Sequence, residues 1–251
     1  GYPPEDLVLK RAFQDTIEAG VRALAAETAD GGPGLLIGTP WRDEGKLYSA
    51  AVLLDGGDIT AVRFKHELPN YGVFDEKRVF AQGPLPGPMA FRGVRLGVMV
   101  CEDMWFPDVA ECLQESGAEI LVVLNGSPFE LDKSEDRLNP AVARITETGL
   151  PLVYVNLIGG QDELVFDGAS FVLGSGKDYR AKAPSWVEDI LLTRWSRDGD
   201  GWSCAETDIA AELDSCAAVY RAMVLGLRDY VGKNGFPGVL IGMSGGIDSA
   251  L

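Results

Sequence analysis

The sequence predicts a layered α/β domain built on a mixed sheet, and three features of its pattern support this. Strand-length apolar runs at 94–100, 120–124 and 152–157 alternate with amphipathic helical stripes, as in strand–helix–strand units. Shorter alternating runs are joined by glycine-bearing turns, the mark of antiparallel hairpins, so an all-parallel sheet is not expected. A chain of 251 residues, 46% of them hydrophobic, can also bury a large core without disulfide staples.

Taken in order, residues 16–28 form a helix with Ile17, Val21, Leu24 and Ala25 on one face, closed by Gly31-Gly32-Pro33-Gly34. Strands follow at 35–37, 47–54 and 59–64, the last two forming a hairpin across Asp55-Gly56-Gly57-Asp58. A long loop holds residues 68–80. The buried strand Val94–Val100 stops at Cys101, and a helix over 107–116 begins with a proline and ends at Gly117. A strand at 120–124 precedes a second helix, which Asn139-Pro140 should start and Gly149 should end. After the strand at 152–157, runs 164–166 and 169–173 predict a hairpin about Asp167-Gly168. The pattern weakens over 202–214, a candidate linker. Cys216, Val219, Tyr220, Met223 and Leu227 then make an apolar helical stripe, and 239–243 reads as a strand running into Ser244-Gly245-Gly246-Ile247-Asp248-Ser249.

Composition narrows the partners. With 38 acidic and 22 basic residues the net charge is −16, which repels nucleic acid and anionic membranes, so neither is expected as a partner. Backbone N–H groups can still make a local phosphate site at that charge. The four cysteines show no CxxC and no metal-ligand spacing, so no metal site is expected, and their usage suits a reducing cytoplasm. Asn125-Gly126-Ser127 fits the glycosylation pattern, but nothing else points to secretion. No apolar run approaches the ~20 residues of a membrane span.

Few residues are placed to do chemistry. A Cys–His or Ser–His–Asp triad would need His66, the single histidine, which beside Val62 and Phe64 reads as a packed or half-exposed strand residue. Cys101 has two readings. It is either a nucleophile held at a strand end before a helical turn, whose N–H groups face an oxyanion, or a core cysteine of a Val-rich strand. Cys112 shares a stripe with Val109 and Leu113 and reads as core, as do Cys204 and Cys216. Lys65 is either a solvated strand residue or an ammonium held beside carboxylates, since it leads into a loop rich in aromatics and acids. The Ser-Gly-Gly turn after the 239–243 run is either a plain turn or a phosphate-binding loop, and it is not a Walker loop because no Gly-Lys-Ser/Thr closes it.

A resemblance separates these readings. Lys65 with LPNYGVFDEKRVF, Cys101 within GVMVCEDMWFPDVAE, Asn125-Gly126-Ser127-Pro128, and GGQDELVFDGASFV resemble the nitrilase-type domain of glutamine-dependent NAD synthetases. GVLIGMSGGIDSAL resembles the phosphate loop at the start of their ATP-pyrophosphatase domain. The resemblance runs through the whole chain. It implies a nitrilase-like (carbon-nitrogen hydrolase) α-β-β-α sandwich over 1–205, a linker over 206–214, and over 215–251 the beginning of a parallel α/β adenine-nucleotide hydrolase-like domain.

The resemblance also implies the chemistry. Cys101 would attack the glutamine amide and form a thioester, with Lys65 as proton donor and oxyanion stabiliser. Tyr71, Ser127 and Lys133 match glutamine-binding positions, Glu102 and Tyr2 would line the same pocket, and Glu76 would orient Lys65. Gly242, Met243, Ser244, Gly245, Gly246, Ile247, Asp248 and Ser249 would bind ATP, with Asp248 and Ser249 near phosphate and magnesium.

The family's catalytic glutamate matches a position upstream of Gly1, so this stretch alone is expected to lack full activity at either site. Leu157 stands where family members often carry glutamine. The implied reaction is ATP-dependent amidation of deamido-NAD by glutamine-derived ammonia, giving AMP, pyrophosphate and glutamate. It involves ATP and Mg2+ and no bound prosthetic group, in a cytoplasmic homo-oligomer. A stand-alone nitrilase or ω-amidase would share Cys101 and Lys65 but would not continue into the phosphate loop. GMP- or asparagine-synthetase-type glutaminases use other nucleophile settings, and a non-catalytic scaffold of the same fold is the non-enzyme alternative.

Overall fold

The computed structural model describes residues 5–131, 133–199 and 201–250. A short 3-10 turn, Glu5–Leu9, leads into α1 (Arg11–Glu27), and then into three antiparallel strands, β1 (Leu35–Asp43), β2 (Lys46–Asp55) and β3 (Asp58–Phe64), in the order β1-β2-β3. The β2–β3 turn carries Gly56 at φ +61° and Gly57 at φ +94°, the double left-handed geometry that only such residues adopt cheaply, as the sequence predicts. After α2 (Glu76–Val79) the chain builds β4 (Met89–Phe91) and β5 (Val94–Val100), α3 (Pro107–Glu115), β6 (Ile120–Asn125), α4 (Lys133–Thr148) and β7 (Leu152–Asn156). Next come β8 (Ile158–Gln161), β9 (Leu164–Asp167), β10 (Phe171–Leu173), β11 (Tyr179–Lys182), β12 (Trp195–Asp198), β13 (Gly201–Cys204), α5 (Ser215–Lys233) and α6 (Ile247–Ala250). The second sheet has the order β11-β10-β7-β6-β5-β4, with β5, β6 and β7 parallel and the rest antiparallel.

The two-residue period of the strands builds four layers. On β2, Ala51 and Leu53 face Met89 and Val98 of the second sheet, while Val52 and Leu54 face Val21 and Ala25 of α1. On the far side, Met99, Leu121, Val123, Leu152 and Tyr154 meet Leu113 of α3 and Ile145 of α4. The result is the α-β-β-α sandwich expected. Among the described residues no helix is long and apolar enough to cross a membrane.

Several expectations differ from the structure. The second helix starts at Lys133, before Pro140, not at Asn139. Pro140 removes one helical hydrogen bond, but the turn before it is tied down by the buried side chain of Arg137.

The hairpin expected about Asp167-Gly168 does not form. Residues 164–167 pair with β8 across Asp162-Glu163, and β10 pairs with β7 and β11. Asp167, buried against Arg137, marks the crossing from one ribbon to the other.

The α5 stripe points outward: Tyr220, Met223 and Leu227 are more than half exposed, and the helix docks through Leu225 and Gly226 instead. A Cβ on Gly160 would lie 3.0 Å from the Gly226 Cα, so two glycines at the crossing let α5 sit closer than any larger pair would. Asp229 accepts from the Gly160 N–H at 2.8 Å.

Cys216 is exposed rather than core, because it lies on the outward side of α5. Residues 239–243 form no strand. Leu240 is fully exposed, and among the described residues no strand pairs with this run, without which an apolar segment has no ladder to join.

The stretch expected as a linker runs bonded along β11, through Thr207 N–H to Arg180 O and Ala210 N–H to Lys182 O.

Candidate functional site

The site forms where parallel strands end in register. Val100 pairs with Leu124 and Asn125 with Asn156, so the turns after β5, β6 and β7 emerge side by side at the carboxyl edge of the sheet. The exit of β3, from the opposite sheet, arrives at the same place with Lys65. A cavity of about 490 Å³ there is lined by Lys65, Phe74, Glu76, Cys101, Gly126 and Leu157, among others. A smaller cavity, about 210 Å³, lies elsewhere beside Phe129 and Trp186 and touches neither Lys65 nor Cys101.

Cys101 begins the 3-10 turn Cys101–Met104 with φ +49°. A non-glycine residue in the left-handed region costs about 1–3 kcal/mol and persists only where its surroundings enforce it. Asp103 enforces it. Its carboxylate, 2% exposed, accepts from Val100 N–H at 2.9 Å on its own turn, and from His66 N–H at 3.0 Å and Glu67 N–H at 2.8 Å on the β3 exit. One side chain thereby ties the Cys101 turn to the exit of the Lys65 strand. Burial pushes Asp103 up to about 6, although the N–H groups of Glu67, Val100 and His66 pull the other way.

Lys65 is 2% exposed, and its ammonium donates to both oxygens of Glu76, at 2.8 and 2.7 Å. Burial alone would lower its pKa, but the Cys101 sulfur, Glu76 and Asp103 together outweigh that and hold the ammonium charged. Burial pushes Glu76 up against the pull of Lys65. Burial likewise raises the Cys101 thiol, opposed by Lys65 and by a hydrogen bond from the Gly126 N–H, and assisted by the negative charges of Glu76 and Glu102. The resting sulfur is therefore held as a thiol with its proton to lose. A cation and an N–H are already in place to stabilise negative charge beside it.

The other expected residues lie around this centre at different depths. The Tyr71 hydroxyl donates to Glu102 at 2.8 Å, with Tyr71 half-exposed on the rim and Glu102 buried. Burial and then the Glu102 carboxylate raise the Tyr71 pKa, so the phenol stays protonated. Ser127 is buried behind the cavity wall, its hydroxyl accepting from Arg137 Nε at 3.2 Å and its N–H donating to Asn156 Oδ1 at 2.9 Å. Tyr2 and the side chain of Lys133 lie outside the described residues. His66 bonds the Gly83 carbonyl at 2.7 Å and does not line the cavity; it lies two residues past the end of β3, half-buried, as its reading as a packed or half-exposed residue expects.

Residues 242–249 are distant in sequence from this cavity and largely exposed. In that loop the hydroxyls of Ser244 and Ser249 lie 3.0 Å apart, and Gly245 takes φ +83°.

Sequence reasoning passes over Asp103, Asn156, Arg137, Asp167 and Gly83. Only Asp103 carried a local signal, as an acid in the third position of a helical turn.

A sandwich with a half-buried cysteine beside a buried lysine–glutamate pair at the ends of its strands defines the class. The carbon-nitrogen hydrolase model matches residues 10–198, and the chain belongs to the carbon-nitrogen hydrolase family. Residues 219–251 match the NAD synthase model. Glutamine-dependent NAD(+) synthetase from Rhodobacter capsulatus is 47% identical over 251 residues, 100% of this chain and 45% of the relative. The enzyme of that description from Aquifex aeolicus is 34% identical over 280 residues, 100% of this chain and 49% of the relative. Among solved structures, glutamine-dependent NAD+ synthetase from Acinetobacter baumannii in complex with adenosine diphosphate superposes with a TM-score of 0.90 at 37% identity, covering 100% of this chain and 47% of that one. An amidase from Nesterenkonia sp. gives 0.61 at 26%, covering 73% of this chain and 69% of that one. The chain spans about half the length of the curated relatives it matches.

Proposed function

We propose that this chain supplies the glutamine-hydrolysing site of a glutamine-dependent NAD(+) synthase, over residues 1–205, and through 206–214 leads into the start of an ATP-using domain over 215–251. The observation that carries the reading is the Lys65 ammonium, clamped by Glu76 and lining one cavity with Cys101 and Gly126. Similarity to glutamine-dependent NAD(+) synthetases along the whole chain supports the acceptor half of the reading.

In the first step the Cys101 sulfur forms a bond to the glutamine side-chain carbonyl carbon as its proton leaves. The resemblance assigns that proton to the family's catalytic glutamate, which passes it to the leaving nitrogen. The carbonyl oxygen becomes an oxyanion facing Lys65 and the Gly126 N–H. Collapse breaks the C–N bond, the nitrogen takes up a proton and ammonia departs, leaving a thioester. Water then adds to the thioester carbon and releases glutamate and the free thiol. Tyr71 and Glu102 form the rim that receives the amino-acid end of glutamine, with Lys133 and Tyr2 as further contacts and the buried Ser127 acting through the turn it anchors at the cavity wall.

Ammonia attacks deamido-NAD that ATP has adenylated, displacing AMP. A closed path keeps it unprotonated and nucleophilic. The loop at 242–249 fits the ATP phosphates through its backbone N–H groups. Among the described residues no three His, Cys, Asp or Glu side chains cluster to hold a metal. Asp248 suits a magnesium ion that arrives on the phosphates, since such ions take one or two carboxylates and phosphate oxygens. The enzyme is further proposed to work as a cytoplasmic homo-oligomer.

The test is made on the intact gene product. A diazo-ketone analogue of glutamine should alkylate Cys101 alone, losing N2. Cys101→Ala should abolish glutamine-driven NAD formation while leaving ammonia-driven formation. Alkylation at Cys216 instead, or loss of both activities in a folded Cys101→Ala protein, would sink the assignment.

A further inference from the structure

Arg137 is the most heavily bonded side chain near the Cys101 cavity; it does not line that cavity but the smaller one beside Phe129 and Trp186. It sits on the first turns of α4 and is 5% exposed. Its Nε donates to Ser127 Oγ at 3.2 Å, and its Nη2 to the carbonyls of Ser127 at 2.9 Å and Pro128 at 3.1 Å. Its Nη1 donates to Asp167 Oδ2 at 2.8 Å. All three guanidinium nitrogens are therefore used, and two of them hold one turn. Asn156 grips the same turn from the neighbouring strand, accepting from Ser127 N–H at 2.9 Å and donating to Ser127 O at 3.2 Å. The residue before this doubly held serine is Gly126, which lines the cavity together with Cys101 and lowers the thiol pKa through its N–H. A glycine has no side chain to pack, so its N–H direction is set by its neighbours, and here the neighbour is fixed from behind by a planar fork.

We infer that Arg137 is a positioning residue for the reaction at Cys101, fixing the Gly126–Ser127 turn that walls the cavity beside the sulfur by holding the 127–128 backbone. The inference rests on the amide-hydrolysing reading of Cys101 given above. Asp167 completes the device by neutralising the buried guanidinium and orienting its plane. One oxygen of that carboxylate, Oδ1, has no hydrogen-bond partner among the described residues, so the Arg137 contact is its main tie. A lysine at 137 would keep the charge but could not reach the serine hydroxyl, two carbonyls and the carboxylate together.

The experiment compares the intact wild-type protein with Arg137→Lys and with Arg137→Gln/Asp167→Asn. The double variant removes both charges and so leaves no unpaired ion if the single variant folds poorly. Two quantities are read for each cysteine by peptide mass spectrometry: the rate of labelling by the diazo-ketone glutamine analogue, and the pH midpoint of iodoacetamide alkylation. The charged or titratable groups coupled to Cys101 are Lys65, Glu76, Glu102, Tyr71, Tyr154 and Arg137 itself. Arg137→Lys keeps that last charge, so a midpoint shift in Arg137→Lys reports position rather than charge, and the double variant is read for labelling rate alone. In the folded variants Cys101 labelling should fall about tenfold, the change expected for one lost hydrogen bond to a charged sulfur, and its alkylation midpoint in Arg137→Lys should rise by about one pH unit. Cys216 should be unchanged. A merely structural role for Arg137 would lower the melting temperature and leave the Cys101 midpoint of Arg137→Lys where it was, and that result would overturn the inference. Unchanged Cys101 labelling in either folded variant would do the same. If the wild-type protein itself is not labelled at Cys101, the amide-hydrolysing reading fails and takes this one with it.

Discussion

Replacing Lys65 by methionine isolates the energetics on which the site depends. The Lys65 side chain is 2% exposed and that of Glu76 11%, with both carboxylate oxygens within 2.8 Å of the ammonium. Removing one partner of so deep a pair strands the other charge and costs about 3–5 kcal/mol, against about 0–1 kcal/mol for an exposed pair such as Arg22–Glu18. The loss should depend on pH in a definite sense. Glu76 already lies above the ordinary carboxylate value because it is buried, and without the ammonium it must rise further. A carboxylate with a raised folded pKa favours the folded state while protonated. Its contribution is present below the unfolded value and is lost as pH climbs through the folded one. The Lys65→Met penalty should therefore be largest near pH 8 and shrink by up to about 1.4 kcal/mol per unit across the window between those values. Urea denaturation followed by circular dichroism at pH 5, 6, 7 and 8 measures it, with Lys65→Met/Glu76→Gln as the variant that should recover most of the loss at neutral pH. A penalty under about 1 kcal/mol that stays flat with pH would refute the reasoning.

Asp103→Ala should destabilise by at least about 3 kcal/mol in the same assay, because three backbone N–H groups lose their acceptor at about 1–3 kcal/mol each. In the wild type, Asp103 at about 6 against an ordinary 3.8 favours the folded state only while protonated, so stability relative to Asp103→Asn should fall as pH rises from about 4 to about 6. Gly83→Ala would place a Cβ 2.6 Å from the Phe64 Cβ and 2.9 Å from the Lys65 carbonyl. It should cost about 1–3 kcal/mol and slow diazo-ketone labelling of Cys101; an unchanged melting temperature would show that the β3 exit yields freely.

The parts of the molecule legible in the sequence are those set by local pattern. The runs ending at Val100, Leu124 and Asn156 read as buried strands because a parallel strand covered on both faces is apolar throughout. Gly56-Gly57 read as a turn because both need positive φ. Lys65 and Cys101 stood out only as unusual residues at strand ends, and resemblance was needed to choose between their readings. Pattern failed where tertiary contacts override it. The α4 helix begins seven residues before Pro140 because Arg137 anchors its first turns. Residues 164–167 pair with β8 rather than β10 because Asp167 is held by Arg137. The α5 stripe of Tyr220, Met223 and Leu227 is amphipathic by spacing, yet glycine–glycine contact selects the opposite face for docking.

The residues missed share a physical reason. Asp103, Asn156 and Arg137 each use a side chain to bond backbone groups of a turn belonging to another element. Such partners lie 29 to 37 residues apart for Asn156 and Asp103, beyond any periodicity that a helix or strand imposes. The apolar layers position the strands to within the tolerance of packing, and large-to-small changes there alter stability more than geometry. The last fraction of an ångström, which decides whether an N–H meets a sulfur or misses it, is set by these polar side chains. The carbon-nitrogen hydrolase sandwich therefore divides its labour. Hydrophobic alternation brings four strand ends to one edge, and a few buried hydrogen-bonding side chains lock the turns that Cys101 needs around it.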